Sequence, residues 1–207
     1  MRKLIVRTGL VHAVLALALA PGAASAETRI QDVYEGRATV IDADGLRIRG
    51  NNIRLWGVDG PEYDQVCLKD RQAFQCGRDV SQHLRTLIGR SVVRCEYRDW
   101  NEGQLGLYAP RAVARCTVRG IDIADWLVSR GYAVPFYVPQ YVNAGRQACN
   151  AGLGLWSGAW SEPSAWRIRR EGAGMGLGRQ SGRSCQQAFR EMQSRMDRYN
   201  RHRPRGL

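Results

Sequence analysis

The sequence has few of the residues that build the common metal and nucleotide sites. It holds three histidines and six cysteines in 207 residues, and no two cysteines are spaced C-x-x-C. Only His83 and His202 follow residue 26. A structural zinc site, which draws its ligands from such pairs, is therefore a poor interpretation of the cysteines. A glycine-rich nucleotide-binding loop is also absent, so nucleotide-dependent chemistry has no support.

Long apolar runs are absent except near the N-terminus. Three basic residues precede an apolar run over 10–20, and the small residues A-S-A follow at 24–26. This pattern is typical of a cleaved secretory signal peptide, and the run is too short to span a membrane comfortably. We expect 1–26 to be a signal peptide and the mature protein to be periplasmic or secreted, without integral membrane association. An uncleaved N-terminal anchor is the alternative.

Acidic residues are fewer than basic residues. The chain has 31 Lys and Arg against 19 Asp and Glu, and residues 1–26 contain three basic residues and no acidic one, so the remainder carries a formal charge of +9. Such an excess favours a polyanionic partner: nucleic acid first, then acidic envelope polymers or lipid headgroups. A basic surface can also serve solubility alone.

All six cysteines follow the predicted signal peptide. An even number of cysteines in an exported chain indicates disulfides, although six cysteines allow several connectivities. We expect Cys67–Cys76 to close a loop, Cys95–Cys116 to join a hairpin, and Cys149–Cys185 to tie the C-terminal segment to the rest of the protein.

The stretch N-I-R-L-W-G-V-D-G-P-E-Y-D-Q at 52–65 gathers charged residues within a strand-like pattern. Alternation over 53–58 predicts a strand that enters a proline turn. Arg54, Asp59 and Glu62 lie within nine residues. A phosphodiester hydrolase needs these groups: a guanidinium for the phosphate, one carboxylate for a cation and another for water. A surface strand with a solvated acidic turn is the alternative.

Residues 36–50 predict a β-hairpin. The run A-T-V-I at 38–41, the turn D-A-D-G at 42–45 and the alternating L-R-I-R at 46–49 give the two strands and their connection. If the following strand pairs with this hairpin, Asp44 lies near Asp59 at the same end of the sheet. Two carboxylates there repel each other unless a cation lies between them.

Together these stretches resemble the staphylococcal-nuclease-like (thermonuclease) family. Its first hairpin usually reads D-G-D-T, followed by R-L-x-x-V/I-D-x-P-E; this chain has D-A-D-G at 42–45 and R-L-W-G-V-D-G-P-E at 54–62. A looser similarity extends over 36–166. The resemblance implies a calcium-dependent endonuclease that hydrolyses DNA and RNA, preferably single-stranded, with little sequence specificity. A catalytically impaired nucleic-acid-binding or protein-interaction module on the same fold is the alternative.

The matching positions imply the metal ligands and the base. Asp44 and Asp59, with the backbone carbonyl of Gly60, are expected to hold Ca²⁺ through oxygen atoms. Glu62 is expected to orient or deprotonate the attacking water. Asp42 is expected to lie next to the metal ligands without contacting the ion itself. Gly60 replaces a threonine that is common in the family.

The resemblance also implies a phosphate clamp. Arg54 and Arg111 are expected to stabilise the negative charge on phosphorus. Pro110 stiffens the chain just before Arg111. Arg98 and Arg115 are therefore alternatives for the second arginine of the clamp. Substrate contacts are expected from Tyr108 and Tyr137, with a rim aromatic of no special role as the alternative for Tyr137. Ala43 and Gly45 depart from the pattern of the first turn.

Periodicity completes the assignment. Helical spacing predicts helices over 77–89, 121–130 and 141–151, and alternation predicts strands over 91–97 and 112–118. These elements are compatible with an α+β domain over 27–170, and the resemblance implies an OB-fold-like five-stranded β-barrel with three helices.

A C-terminal helical extension is expected to follow this domain. Residues 171–182 predict a glycine-rich linker. Residues 183–207 predict a basic amphipathic tail with an apolar stripe formed by Cys185, Phe189, Met192, Met196 and Tyr199. We expect the stripe to dock on the domain; a partner-binding or membrane-surface helix is the alternative.

Overall fold

A computed structural model describes residues 31–102, 109–171 and 185–202. The predicted signal peptide, residues 172–182 of the predicted linker, and Tyr108 lie outside the described residues. No helix within these ranges is both long and apolar enough to cross a membrane.

The described residues form ten β-strands, five α-helices and two short 3₁₀ turns. In chain order the strands and helices are β1 Val33–Val40, β2 Gly45–Ile48, β3 Asn51–Leu55, β4 Val58–Asp59, β5 Cys67–Lys69, β6 Gln72–Phe74, α1 Cys76–Ile88, β7 Val92–Asn101, β8 Arg111–Val118, β9 Ile121–Asp122, α2 Ile123–Ser129, β10 Val134–Pro135, α3 Val142–Asn150, α4 Pro163–Glu171 and α5 Cys185–His202.

Five of these strands close into a β-barrel. The order is β3-β2-β1-β7-β8, each pair antiparallel, and a parallel pairing of β3 with β8 joins the two edges. With its helices, the barrel confirms the predicted α+β, OB-fold-like class and its helical C-terminal part.

Alternating apolar side chains fill the barrel, as a period of two requires. Helix α1 covers it with Val80, Leu84 and Ile88, which recur on one face of the helix. The buried strand residues of this core are Tyr34, Val40, Leu46, Ile48, Ile53, Leu55, Val58, Val93, Cys95, Ala112, Ala114, Cys116 and Val118.

The strand predicted over 53–58 is interrupted in the structure. It ends at Leu55, and the turn at Trp56 and Gly57 redirects the chain. Gly57 has φ +80°, and a Cβ there would lie 2.4 Å from Val138 and 2.8 Å from Tyr141. Only glycine fits such a position. The turn lets β4 pair with β10, which brings Asp59 to the end of the barrel.

The helix predicted from residue 121 begins two residues later. Asp122 caps it: its carboxylate accepts hydrogen bonds from the backbone N–H groups of Ala124 (3.0 Å) and Asp125 (3.2 Å). Ile121, predicted on the buried face, lies in β9 and is exposed. The start of this helix is therefore set by the capping hydrogen bonds of Asp122 and not by the apolar periodicity.

All three predicted disulfides are present: Cys67–Cys76, Cys95–Cys116 and Cys149–Cys185. They are typical of proteins that mature in an oxidising compartment. The third joins α3 to α5, and Phe189 of α5 packs against Trp156 with 5.7 Å between ring centroids. The beginning of the tail helix therefore docks on the domain. The side chains of Met192, Met196 and Tyr199 lie outside the description.

Removing the third disulfide tests this docking. We expect Cys149→Ser with Cys185→Ser to lower the free energy of unfolding by about 2–4 kcal/mol, since the bridge closes a long loop. We also expect faster tryptic cleavage within α5. Urea denaturation and timed proteolysis measure both effects. Cys67→Ser with Cys76→Ser is the control, because its short loop gives a smaller entropic loss. Unchanged protection of α5 would contradict the docking role of the bridge.

Candidate active site

Two acidic side chains and one arginine meet at one end of the barrel. Asp44 closes the loop between β1 and β2, Arg54 lies in β3, and Asp59 ends β4. Nη2 of Arg54 lies 3.0 Å from Asp44 Oδ2 and 2.7 Å from Asp59 Oδ1. All three side chains are buried, with exposed fractions of 5%, 9% and 2%. The two carboxylates thus lie near each other as expected, and a guanidinium joins them.

The turn before β2 aims Asp44 inward. The Asp44 backbone N–H donates to Asp42 Oδ1 (3.1 Å), and the Ile41 N–H donates to the Gly45 carbonyl (2.9 Å). A Cβ on Gly45 would lie 2.6 Å from Asp42 Oδ1, so glycine leaves room for this carboxylate. Asp44 Oδ2 accepts a further hydrogen bond from the Gly60 N–H (3.2 Å). Asp42 therefore shapes the loop that positions Asp44.

Ala43 and Gly60, which both differ from the staphylococcal-nuclease-like sequence pattern, pack against each other. A Cβ on Gly60 would lie 2.7 Å from the Cβ of Ala43, which is fully buried. The first turn carries alanine where the family usually has glycine, and residue 60 is glycine where the family commonly has threonine. The smaller residue at 60 leaves room for the larger one at 43. This packing keeps the two loops close.

Helix α4 adds a second guanidinium that the sequence patterns did not predict. Nη1 of Arg167 lies 2.6 Å from Glu62 Oε1 and 3.2 Å from Asp59 Oδ1, and its Nη2 lies 3.2 Å and 3.3 Å from the two Asp59 oxygens. The sequence signal for the helix that carries Arg167 was Pro163, because proline favours the first position of a helix. Arg167 therefore bridges Asp59 and Glu62.

The loop that carries Glu62 is anchored to the segment before α4. Gln65, fully buried, accepts a hydrogen bond from the Glu62 N–H at its Oε1 (3.2 Å) and donates from Nε2 to the Ser161 carbonyl (2.7 Å). A Cβ on Gly77 would lie 1.7 Å from the Glu62 carbonyl oxygen, so the start of α1 also packs on this loop. Glu62 is held from both sides.

Burial disfavours negative charge in this cluster. Burial raises the pKa of Asp44 to about 6, against the opposing effect of Arg54. Burial and the nearby Glu62 raise the pKa of Asp42. Burial also raises the pKa of Glu62, while its hydrogen bond from Arg167 opposes the shift. These three carboxyl groups are therefore stabilised by added positive charge.

Arg111, the first residue of β8, acts on this cluster. Burial raises the pKa of Asp42 and of Asp44, and the charge of Arg111 is among the smaller effects that oppose this rise. The two alternatives are engaged elsewhere: Arg98 with Glu96 at 3.2 Å, and Arg115 with Asp122 at 2.8 Å. Arg98 and Arg115 therefore pair outside the cluster, whereas the charge of Arg111 acts on Asp42 and Asp44.

Tyr137 lies near Arg54. Burial opposes the shift, but Asp44 and Asp59 raise the pKa of Arg54, and Tyr137 adds a smaller contribution. Its exposed fraction is 8%, its φ is +46°, and its ring contacts Phe136 edge-on with centroids 4.8 Å apart. It is therefore part of the packed end of the barrel and not an exposed rim residue. Tyr108, its predicted companion, lies outside the described residues.

Asp44 and Asp59 offer oxygen donors of the kind that a hard cation takes. Oxygen atoms of Asp44 and Asp59 lie within 3.0 Å of one nitrogen atom, so the two carboxylates converge. Within residues 31–102, 109–171 and 185–202, no group of three or more His, Cys, Asp and Glu side chains could hold a metal ion. An ion here would complete its shell with backbone carbonyls and water, as Ca²⁺ commonly does.

The fold and this cluster define a class: a small α+β barrel protein with carboxylates and guanidiniums buried at one end of the barrel. No protein-family model matches the chain. The chain is 33% identical over 141 residues to the succinoglycan biosynthesis protein ExoI of Rhizobium meliloti (strain 1021), covering 65% of this chain and 71% of that protein. The chain belongs to the family of this protein.

The raised pKa of Asp44 predicts how stability depends on pH. Its folded pKa of about 6 lies above the ordinary value of 3.8, so between these values the folded state binds more protons than the unfolded state. The metal-free protein therefore loses stability as pH rises through this window, by about 3 kcal/mol for Asp44 alone. Urea unfolding with chelator, at intervals from pH 4 to pH 7, measures the loss.

Asp44→Asn is the matched control for this prediction. It removes the titrating group, so we expect its stability relative to wild type to rise between pH 4 and pH 6 and to level off above. Parallel pH profiles for the two proteins would contradict the predicted shift.

Proposed function

We propose that the protein is an exported endonuclease that hydrolyses phosphodiester bonds of DNA and RNA. The observation that carries the proposal is the meeting of Asp44, Arg54 and Asp59 at one end of an OB-fold-like barrel, with Glu62 joined to Asp59 through Arg167. The resemblance to the staphylococcal-nuclease-like family assigns Asp44 and Asp59 to the metal ion and Arg54 and Glu62 to catalysis; Arg167 is an addition that the structure contributes.

The carboxylates divide into two roles. Asp44 and Asp59, with the carbonyl of Gly60, would hold Ca²⁺, which supplies positive charge for the phosphoryl oxygens. Glu62 orients the attacking water and takes a proton from it. Burial raises the pKa of Glu62, and a raised pKa makes a carboxylate a better base near neutral pH.

The arginines bind the phosphate. Both contacts of Arg54 with the carboxylates are made by Nη2, one of its three guanidinium nitrogens, so the same side chain can also donate to a phosphoryl oxygen. Arg111 adds a further positive charge that acts on Asp42 and Asp44. A site built to bind the backbone reads no base edges, so we expect little sequence preference and better access to single strands.

The location and charge of the protein agree with this proposal. The predicted signal peptide and the three disulfides support a periplasmic or secreted protein. The formal charge of +9 beyond residue 26 supports attraction to a polyanion.

A catalytically impaired binding module is the second candidate. The contacts of Arg167 with Asp59 and Glu62 favour it, since they engage a proposed metal ligand and the proposed base together. The name of the relative refers to succinoglycan biosynthesis and states no reaction, so it favours neither candidate.

Digestion of denatured DNA and of RNA tests the proposal. The oxidised protein without its predicted signal peptide is assayed with Ca²⁺ or with chelator, beside Glu62→Gln. We expect calcium-dependent cleavage that falls by about 10²-fold or more in the variant, because the base is lost. Glu96→Gln is the control; this glutamate pairs with Arg98 outside the cluster, and its loss should leave the rate unchanged.

Two results would contradict this assignment. Absence of cleavage with retained, salt-sensitive binding would exclude the enzyme and support the binding module. Cleavage that survives Glu62→Gln would show that another group activates the water.

A further inference from the structure

Helix α4 delivers a positive charge to the two carboxylates that the proposed reaction needs. The Arg167 guanidinium makes three contacts of 3.2–3.3 Å with Asp59 and one of 2.6 Å with Glu62. The side chain is largely shielded from water, as are those of both partners. These ion pairs are therefore screened less than surface pairs.

The net charge of the cluster depends on whether Arg167 is part of it. Four carboxylates and three guanidiniums share this end of the barrel, which gives a net charge of −1 when all are ionised. Without the α4 arginine the net charge is −2, which one divalent cation neutralises. The groups are Asp42, Asp44, Asp59, Glu62, Arg54, Arg111 and Arg167.

A cation on Asp59 and the bound Arg167 oppose each other. A calcium ion lies about 2.3–2.6 Å from each ligand oxygen, whereas Arg167 has two nitrogens within 3.3 Å of the Asp59 oxygens. Like charges at such separations repel strongly, and they compete for the same lone pairs. Arg54, fixed in β3, keeps its hydrogen bond to Asp59 Oδ1, and Arg167 donates to the remaining acceptor positions of this carboxylate. Occupancy by the ion therefore requires Arg167 to withdraw from Asp59.

The start of α4 can stay in place while Arg167 withdraws. Trp166, the preceding residue, is buried, and Ser161 before the helix accepts the hydrogen bond from Gln65. Arg167 follows these anchors on a long side chain, so its guanidinium can move without unfolding the barrel.

We infer that Arg167 is an internal cation that closes the site: it competes with a divalent metal ion for Asp59 and pairs with Glu62 at the same time. The inference rests on the cation site of the proposed function. It assigns α4 a regulatory role: the arginine stabilises the metal-free site, and metal binding releases it. By linkage, the ion loosens the Arg167 contacts by the same factor by which those contacts weaken ion binding.

Calcium titration by calorimetry tests the competition. We compare the oxidised wild type with Arg167→Ala and with Arg90→Ala, which removes the same charge from an exposed position after α1. We expect Arg167→Ala to bind Ca²⁺ at least about fivefold more tightly than wild type, and Arg90→Ala to match wild type. Equal or weaker binding by Arg167→Ala overturns the inference, as does the absence of calcium binding by all three proteins.

Hydrogen exchange provides a readout that needs no variant. We expect Ca²⁺ to increase exchange in the backbone of α4 beyond Trp166 in the wild-type protein, because the ion releases this part of the helix from Asp59 and Glu62 while the buried Trp166 keeps its start in place. Unchanged or slower exchange there, at saturating Ca²⁺, overturns the inference.

The two failures can be told apart. Tighter calcium binding by Arg167→Ala without any digestion of nucleic acid supports the competition and rejects the nuclease. Calcium-dependent digestion with an unchanged calcium affinity in Arg167→Ala supports the nuclease and rejects the competition.

Discussion

The burial of Arg54 between Asp44 and Asp59 is the constraint on which the end of the barrel depends. A guanidinium at this depth needs partners, and each buried carboxylate needs a cation or hydrogen-bond donors. Loss of one partner from such a pair typically costs about 3–5 kcal/mol, because it leaves a buried charge uncompensated. The β1–β2 loop, β3 and β4 each supply one member of this cluster. The three segments therefore fix one another.

The local sequence patterns predicted those contacts of the cluster that come from strands adjacent in sequence. Asp44 immediately precedes β2 and Arg54 lies in β3, and the pairing of Gly45 with Arg54 brings them together. Asp59 follows within a few residues, so alternation and turn chemistry were enough to place it nearby. Five barrel strands and the covering helix α1 follow from the same rules, since each buries a regular apolar face.

The remaining features depend on contacts that are distant in sequence. Arg167 meets Glu62 across 105 residues, and no local period carries that information. The interruption at Gly57 is likewise set by Val138 and Tyr141, which pack where a Cβ would lie. The residues at 43 and 60, read separately as departures from the family pattern, are explained together by their contact. Tertiary packing decides each of these cases.

The two arginines differ in how the fold holds them, and this difference separates their roles. Arg54 lies in the middle of the barrel sheet, paired with β2 on one side and β8 on the other, so it cannot leave without breaking the barrel. Arg167 reaches Asp59, the carboxylate that it shares with Arg54, from a helix outside the barrel, and it also pairs with Glu62. A folded site crowded with carboxylates needs positive charge before any metal ion arrives. A fixed arginine can supply the permanent share of that charge, and only an arginine on a peripheral element can supply a removable share.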